Sequence, residues 1–153
     1  MSTVTAAATR TVDAPVDVVF RCLSDHREHH HRFLPPAFSG YRVEEGGTGE
    51  GTVVSFTVTA GGRSRPYRMR VSVPAPGRVL TERDAGSSLV TTFTLTPEGD
   101  RTQVRIQTTW NGAGGVGGFF ERMFAPSALK RIYDDELARL DSYAKDLAAR
   151  GGS

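Results

Sequence analysis

The chain has 153 residues, of which 38% are hydrophobic and 24% charged, with 19 Lys plus Arg against 17 Asp plus Glu. This length fits one domain with a continuous core, and the composition excludes an intrinsically disordered chain. The net charge of +2 comes without a cluster of basic and aromatic residues, so nucleic acid is not an expected partner. We predict a single domain spanning residues 1–150.

The cysteine content and the hydropathy of the chain indicate the cellular compartment in which the protein is expected. Cys22 is the only cysteine, which excludes an intramolecular disulfide and a cysteine-based zinc site. The N-terminal residues lack a charged region followed by an apolar stretch, which argues against a signal peptide. No apolar run approaches the roughly 20 residues that a membrane span requires. We therefore expect a cytoplasmic protein with no membrane span.

The first 36 residues predict a strand and two short helices. Residues 4–12 are small and Thr-rich, which is typical of a strand. Residues 13–15, Asp-Ala-Pro, then predict the start of a helix, because proline lacks the N–H that a first helical turn leaves unpaired. Ser24 and Asp25 are suited to cap a second short helix. That helix is rich in histidine and is expected to end at the two prolines at 35–36.

Six further runs are rich in Val, Thr, Phe and Tyr and are bounded by turns, most of them containing Gly or Pro, which is the pattern of strands. They cover residues 41–45, 52–60, 67–73, 79–84, 89–97 and 102–110. Short connections between successive strands predict an antiparallel meander. Apolar and polar residues alternate along these runs, so one face of the sheet is expected to be apolar and the other wet.

The last segment, residues 119–147, predicts a long helix that Pro126 kinks or splits. Its apolar residues, among them Leu129, Tyr133 and Leu140, fall in one stripe at about 100° per residue. An apolar sheet face and one amphipathic helix predict an α+β domain in which the sheet curls around the helix. Because several inward residues are small or polar, we expect the two to enclose a cavity, which is a ligand site by default.

Several short motifs resemble a known superfamily. These are Asp-Ala-Pro at 13–15, Val-Val-Phe at 18–20, Leu-Ser-Asp at 23–25, Phe-Leu-Pro at 33–35 and the helix stretch 126–140. Together they are similar to the SRPBCC (START-like, helix-grip) superfamily, and most closely to its polyketide cyclase/dehydrase and lipid-transport group. The resemblance covers nearly the whole chain. It implies a helix-grip fold with a seven-stranded antiparallel sheet, two short helices after the first strand and a deep apolar pocket, but no shared catalytic signature.

The predicted pocket wall combines apolar, aromatic and hydrogen-bonding side chains, a mixture that can orient a hydrophobic ligand. The candidate ligand-binding residues are Phe56, Tyr67, Met69, Thr91, Phe93, Thr108, Trp110, Phe120, Phe124, Tyr133, Glu136 and Leu140. Glu82 and Glu136 are the candidate catalytic residues, because an inward carboxyl group is costly to bury and a raised pKa would suit it to general acid or base catalysis. The alternative is that each carboxylate pairs with an arginine or water and only shapes the pocket.

A glycine-rich motif at residues 112–117 matches G-x-G-x-x-G, and Asp134 follows about 20 residues later. A dinucleotide fingerprint needs a parallel strand after its helix, and no strand follows here. We therefore predict no nucleotide cofactor and interpret the motif as an entrance loop beside the pocket.

Four histidines, His26, His29, His30 and His31, form the densest titratable cluster. His26 and His30 have the spacing of a two-histidine metal site. The sequence identifies no third ligand, so no metal site is predicted. Most of these histidines are expected to lie on a solvated lid helix, where titration near neutrality could make the lid sensitive to pH.

Three functions fit these observations. The first is non-covalent binding of a lipid, sterol or polyketide-like molecule in the internal cavity. The second is a polyketide aromatase/cyclase-type enzyme, in which Glu82 or Glu136 moves protons with help from Tyr67 or Tyr133. The third is a protein-interaction module with a closed cavity. No cofactor is expected, and the oligomeric state, monomer or homodimer, stays open.

Overall fold

A computed structural model describes residues 3–111 and 124–151 of the chain. The chain begins with strand β1 (Thr3–Val12), helix α1 (Val16–Ser24) and a 3-10 helix (His30–Phe33). Six strands and one long helix follow, which completes the order of elements that the sequence predicts. They are β2 (Phe38–Glu45), β3 (Val53–Ala60), β4 (Arg63–Ala75), β5 (Val79–Asp84), β6 (Val90–Glu98), β7 (Arg101–Asn111) and α2 (Pro126–Ala149).

The seven strands form one antiparallel sheet in the order β1-β7-β6-β5-β4-β3-β2. The predicted alternation holds, because Val54, Phe56 and Val58 are buried on β3 while the residues between them are not. Strand β5 has the predicted bounds. Strand β4 is longer than the predicted 67–73 and begins at Arg63. The sheet confirms the predicted fold class.

Helix α2 covers the apolar face of the sheet. Its buried residues are Leu129, Tyr133, Glu136, Leu137, Leu140, Ala144 and Leu147, which share one side of the helix. Pro126 occupies the first turn of α2, so in the described residues it begins the helix instead of kinking it. Within residues 3–111 and 124–151, no helix is long and apolar enough to cross a membrane.

The two predicted short helices differ in kind. Helix α1 is capped by Pro15, so the proline precedes its first turn. The second is a 3-10 helix of four residues, and the histidines before it lie in a turn. There the Asp25 carboxylate accepts hydrogen bonds from the backbone N–H groups of Arg27 (3.2 Å) and Glu28 (3.0 Å). Asp25 therefore caps the turn, whereas the 3-10 helix itself has His29 at its N-cap and no side-chain cap, which corrects the predicted capping of that helix by Ser24 and Asp25.

Strand β2 carries a bulge that changes which side chains face inward. Ser39 pairs with Thr57 and Arg42 with Ser55, so Gly40 and Tyr41 together stand opposite the single residue Phe56. Gly40 has a φ of 63°, a conformation that glycine adopts without steric cost. The extra residue directs the Tyr41 side chain toward the concave face.

Candidate functional site

A cavity lies between the concave face of the sheet and α2. Its walls come from β2 to β7, from α2 and from residues near the 3-10 helix. The volume is about 40 Å³, which is room for a few water molecules. The lining residues are His30, Leu34, Phe38, Tyr41, Phe56, Val58, Tyr67, Met69, Glu82, Leu89, Thr91, Phe93, Ile106, Leu129, Ile132, Tyr133 and Glu136.

Four aromatic rings form a row along one wall of this cavity. The Phe56 ring centroid lies 5.3 Å from that of Phe38 and 6.1 Å from that of Tyr41. Tyr67 continues the row, with its ring centroid 5.7 Å from that of Phe56. The Tyr41 and Tyr67 rings lie within 28° of parallel to Phe56. Such a row offers apolar aromatic surface together with two phenol hydroxyls.

Two carboxyl groups enter the cavity from opposite walls, Glu82 from β5 and Glu136 from α2. Their exposed fractions are 6% and 2%. Burial raises the pKa of Glu82 to about 7. Burial, followed by the charges of Glu82 and Asp135, raises the pKa of Glu136 to about 8. At neutral pH Glu136 therefore holds a proton, and Glu82 lies near its midpoint.

A chain of three hydroxyl groups crosses the interior from the sheet to α2. The Thr108 hydroxyl lies 2.7 Å from that of Thr91 and 2.5 Å from that of Tyr133. Burial is the main cause that raises the pKa of the Tyr133 phenol. Tyr133 thus stays neutral and presents a fixed hydroxyl at the cavity wall.

The inward-facing arginine of β4 does not serve either glutamate. The guanidinium of Arg65 pairs with the Asp84 carboxylate at 3.0 Å and lies 4.2 Å above the Tyr67 ring centroid. Asp84 also accepts a hydrogen bond from the Ser87 hydroxyl at 2.7 Å. The sequence suggested that the glutamates could pair with an inward arginine, but Arg65 already has Asp84 as its partner.

The histidine cluster is not a solvated lid, which corrects the expectation from sequence. His26 and His30 have exposed fractions of 0% and 3%, and their rings stack with centroids 4.6 Å apart. His31 is exposed and His29 is half-buried. Residues four apart in a turn share a side, so His26 and His30 point inward while His31 points to solvent.

The structure brings most of the predicted site residues together at the cavity. The predicted residues that line it are Phe56, Tyr67, Met69, Glu82, Thr91, Phe93, Tyr133 and Glu136. Thr108 lies behind the wall and holds Tyr133, while Leu140 is a fully buried core residue. Trp110 and Phe124 line a separate, more open depression. Phe120 and the glycine motif at 112–117 lie outside the described residues.

Two polar lining residues escaped the sequence reasoning, His30 and Tyr41. The spacing of His30 from His26 was the available signal, but polarity favoured a solvated position for both histidines. Tyr41 reaches the cavity only because of the bulge at Gly40. Cys22 is buried, and desolvation raises the pKa of its thiol to about 12, so it is an unreactive core residue.

Residues 3–145 match the family described as polyketide cyclase / dehydrase and lipid transport. A search of curated proteins finds no match. Among solved structures, the chain is similar to the KanY protein (ms6282), with 39% identity and a TM-score of 0.83. That match covers 95% of this chain and 99% of KanY.

Two more distant structures show the shared fold. The aromatase/cyclase ZhuI from Streptomyces sp. R1128 is 20% identical with a TM-score of 0.75, and the match covers 96% of each chain. The major latex-like protein 151 from Panax ginseng is 15% identical with a TM-score of 0.71, over 93% of this chain and 97% of that one. The sheet, the long helix and the family match agree: the chain has the helix-grip fold and belongs to the polyketide cyclase/dehydrase and lipid transport family.

Proposed function

We propose that the chain binds a flat aromatic or polyketide-like small molecule in the cavity between the sheet and α2. The observation that carries this proposal is the aromatic row on β2, β3 and β4. Stacked rings offer a planar ligand large apolar contacts in a defined orientation. A flexible acyl chain gains less from such a wall, because it would lose conformational freedom against flat faces.

The opposite side of the cavity supplies hydrogen-bonding groups that would orient such a ligand. Tyr133 is fixed by Thr108, and Glu136 enters from the same helix as a neutral carboxyl at neutral pH. Both can donate to ketone or phenol oxygens. An apolar wall facing a few fixed polar groups is the usual composition of a small-molecule site.

The volume of about 40 Å³ is too small to hold such a ligand in this structure. A polycyclic ligand needs several hundred Å³, so binding requires the walls to move apart. Five wall residues are only half-buried: Leu34, Phe38, Tyr41, Leu89 and Ile132. They are therefore the side chains whose displacement costs least in lost packing, and the binding rate should depend on this opening.

Titration of the 15N-labelled protein with an anthraquinone, and separately with palmitate, tests the proposal. We expect saturable one-to-one binding of the anthraquinone and little binding of palmitate. Phe56→Ala should lower the affinity for the anthraquinone by roughly 10-fold, which is equivalent to about 1.4 kcal/mol of binding free energy. Phe20→Ala is the matched control, since Phe20 is half-buried on α1 and does not line the cavity.

Three outcomes would contradict the proposal. Binding of palmitate alone would indicate a lipid carrier. Absence of binding by either probe would favour the interaction module with a closed cavity. Equal losses in the two phenylalanine variants would place the anthraquinone outside the aromatic row.

The two cavity carboxyls favour a second candidate function, an aromatase/cyclase-type reaction. Dehydration of a β-hydroxy ketone requires a base to remove the α-proton and an acid to protonate the hydroxyl that leaves as water. At neutral pH, Glu136 holds the proton to donate, and the ionised fraction of Glu82 can accept one. Two carboxyls with different pKa values are a common acid–base arrangement.

An aryl-substituted β-hydroxy ketone tests this second function, because its dehydration yields a conjugated enone that absorbs in the ultraviolet. Glu136→Gln should lower kcat by about 100-fold or more while the probe still binds. Asp134→Asn is the control, a neutralised carboxylate on the exposed side of the same helix. If the unaltered protein binds the probe but does not dehydrate it, the enzymatic function is wrong and only the binding function is supported.

A further inference from the structure

Three buried side chains form a compact cluster, and two of them, His30 and Glu82, also line the cavity. His26 and His30 come from the turn after α1, and Glu82 comes from β5. One ring nitrogen of each histidine and one carboxylate oxygen of Glu82 all lie within 4.8 Å of one another. All three residues are buried. The sequence showed the two histidines, and the sheet brings the carboxylate to them.

The hydrogen bonds of the histidines define which nitrogens are available. His30 Nδ1 lies 2.6 Å from the Leu23 carbonyl oxygen, which can only accept, so Nδ1 carries the proton and Nε2 carries the lone pair. His26 Nδ1 bonds to the Tyr41 hydroxyl at 2.8 Å. An imidazole held through one nitrogen by a neighbouring group is the usual arrangement of a histidine that ligates metal through the other.

The remaining nitrogen of His26 has no partner. Among the residues that the structure describes, His26 Nε2 is the only buried side-chain nitrogen or oxygen without a hydrogen bond. Leaving such a group unpaired costs about 1–3 kcal/mol, and structures generally avoid it. The unpaired nitrogen belongs to one of the three residues of the cluster.

The hydrogen bonds that hold the two rings use Nδ1 in both histidines, so Nε2 of each ring is outside those bonds. Glu82 supplies the negative charge that would partly neutralise a divalent cation. The two rings lie stacked at an angle of 19°, so neither is free to rotate without displacing the other.

The backbone fixes the His26 end of the cluster. The His26 N–H donates to the Gly47 carbonyl oxygen at 2.8 Å, and the Arg27 guanidinium donates twice to the Gly46 carbonyl oxygen, at 3.0 and 2.7 Å. These bonds tie the histidine turn to the loop between β2 and β3. A rigidly held ligand set binds a cation without a large loss of conformational freedom.

We propose that His26, His30 and Glu82 form a binding site for a divalent transition-metal ion such as Zn²⁺. Ligands at ~2.1 Å around a tetrahedral ion lie roughly 3.4 Å apart, so the cluster closes by small side-chain movements. Two imidazoles and one carboxylate suit Zn²⁺ better than Mg²⁺ or Ca²⁺, which prefer oxygen ligands alone. His30 and Glu82 line the cavity, so the fourth position faces the ligand space.

An ion at this position would hold Glu82 as a ligand and leave Glu136 as the ionisable carboxyl of the cavity. The open coordination position could then accept a ketone or phenolate oxygen and polarise it. This last point rests on the proposed function. The binding of the metal itself does not, and its test uses the metal alone.

Calorimetry with ZnCl2 on chelator-treated protein tests the site, together with the absorption spectrum of added Co²⁺. We expect one Zn²⁺ ion to bind per chain and to raise the Tm, whereas Mg²⁺ should leave the Tm unchanged. Added Co²⁺ should show the visible absorption bands of a four-coordinate ion. His26→Gln and Glu82→Gln should each lower the affinity for Zn²⁺ by about 100-fold or more. His31→Gln is the control, because His31 belongs to the same turn but is exposed.

Each other result would overturn the proposal. Unchanged Zn²⁺ affinity in His26→Gln would show that the buried nitrogen is not a ligand. Equal loss in His31→Gln would place the ion on the surface of the turn, and absence of a Tm shift at excess Zn²⁺ would show that the cluster binds no ion. Circular dichroism of each variant separates loss of the ligand from loss of the fold, and Co²⁺ spectra of the unaltered protein decide the question if a variant fails to fold.

Discussion

The hydroxyl of Thr108 lies 2.5 Å from the hydroxyl of Tyr133, so a hydrogen bond joins β7 to α2 across the interior. Thr91 extends the chain to β6 at 2.7 Å. This is the direct polar link between the sheet and the helix at the cavity wall. It fixes the distance between the aromatic row and the carboxyl of Glu136, which is one turn further along α2.

Tyr133→Phe should destabilise the protein by about 1 kcal/mol, the usual net contribution of a buried hydrogen bond. The loss is limited because Thr108 keeps Thr91 as a partner. Urea unfolding of Tyr133→Phe, Thr108→Val and the double variant gives the coupling energy, which should be nonzero. Tyr143→Phe is the control, since its partner His29 is only half-buried. Additive losses at 108 and 133 would show that the link contributes nothing.

The pH dependence of stability should change in Glu136→Gln. The folded protein keeps the Glu136 proton up to about pH 8, whereas the unfolded chain releases it near pH 4.3. The unfolded state therefore binds fewer protons across this interval, and the stability falls as pH rises through it. Glutamine cannot ionise, so the variant should be more stable than the unaltered protein at pH 8.5, by an amount on the order of 1–3 kcal/mol.

Urea unfolding of Glu136→Gln at pH 5, 7 and 8.5 measures this effect. The advantage of the variant should be smallest at pH 5 and should grow with pH. Asp134→Asn serves as the control because Asp134 is exposed and pairs with Lys130. A constant difference between the two proteins at all three pH values would mean that the carboxyl of Glu136 is not buried.

The buried ion pair beneath Tyr67 should contribute far more than a surface pair. Asp84→Asn would leave the Arg65 guanidinium, whose side chain is 10% exposed, without its charge partner. The expected destabilisation is about 3–5 kcal/mol. Asp134→Asn removes an exposed pair with Lys130 at 2.8 Å and should cost about 1 kcal/mol or less. Similar unfolding midpoints for the two variants would contradict the burial of the Arg65–Asp84 pair.

The sequence predicted the sheet well because the side chains of a strand alternate between its faces, and this alternation is a local property. The inward positions of Phe56, Tyr67 and Phe93 follow directly from it. Glu82 was identified from the same alternation, and Glu136 from the helical periodicity of about 100° per residue, because it lies within the apolar stripe of α2. The carboxyl groups of the cavity were therefore predictable without any tertiary information.

The rest of the site depends on tertiary pairing. The bulge at Gly40 adds one residue to β2. Without that residue, the alternation that directs Phe38 into the cavity would direct Tyr41 to the opposite face of the sheet. Asp84, the charge partner of the buried Arg65, lies on another strand. His26 and His30 suggested a wet surface because polar residues usually lie there. In each case strand pairing or packing decides which way the side chain points, so composition and spacing could not reveal it.

Gly47 should control the position of His26. Its φ is 152°, and a Cβ atom there would lie 2.4 Å from the Arg27 Nε. Gly47→Ala therefore adds backbone strain and displaces the Arg27 side chain from the Gly46 carbonyl. We expect a loss of about 1–2 kcal/mol in unfolding free energy and, if the metal proposal holds, weaker Zn²⁺ binding. Gly49→Ala is the matched control, with a φ of 66° and nothing within 4 Å of the added atom.

The two glycine variants separate backbone strain from the loss of the Arg27 contact. Strain alone costs about 1 kcal/mol in either variant, so Gly49→Ala should lose stability without moving the histidines. A chemical-shift change at the His26 ring, followed by NMR of the imidazole protons, should occur only in Gly47→Ala. If both variants shift that ring equally, or neither does, the contact between Arg27 and the loop does not position His26, because the two substitutions differ in that contact.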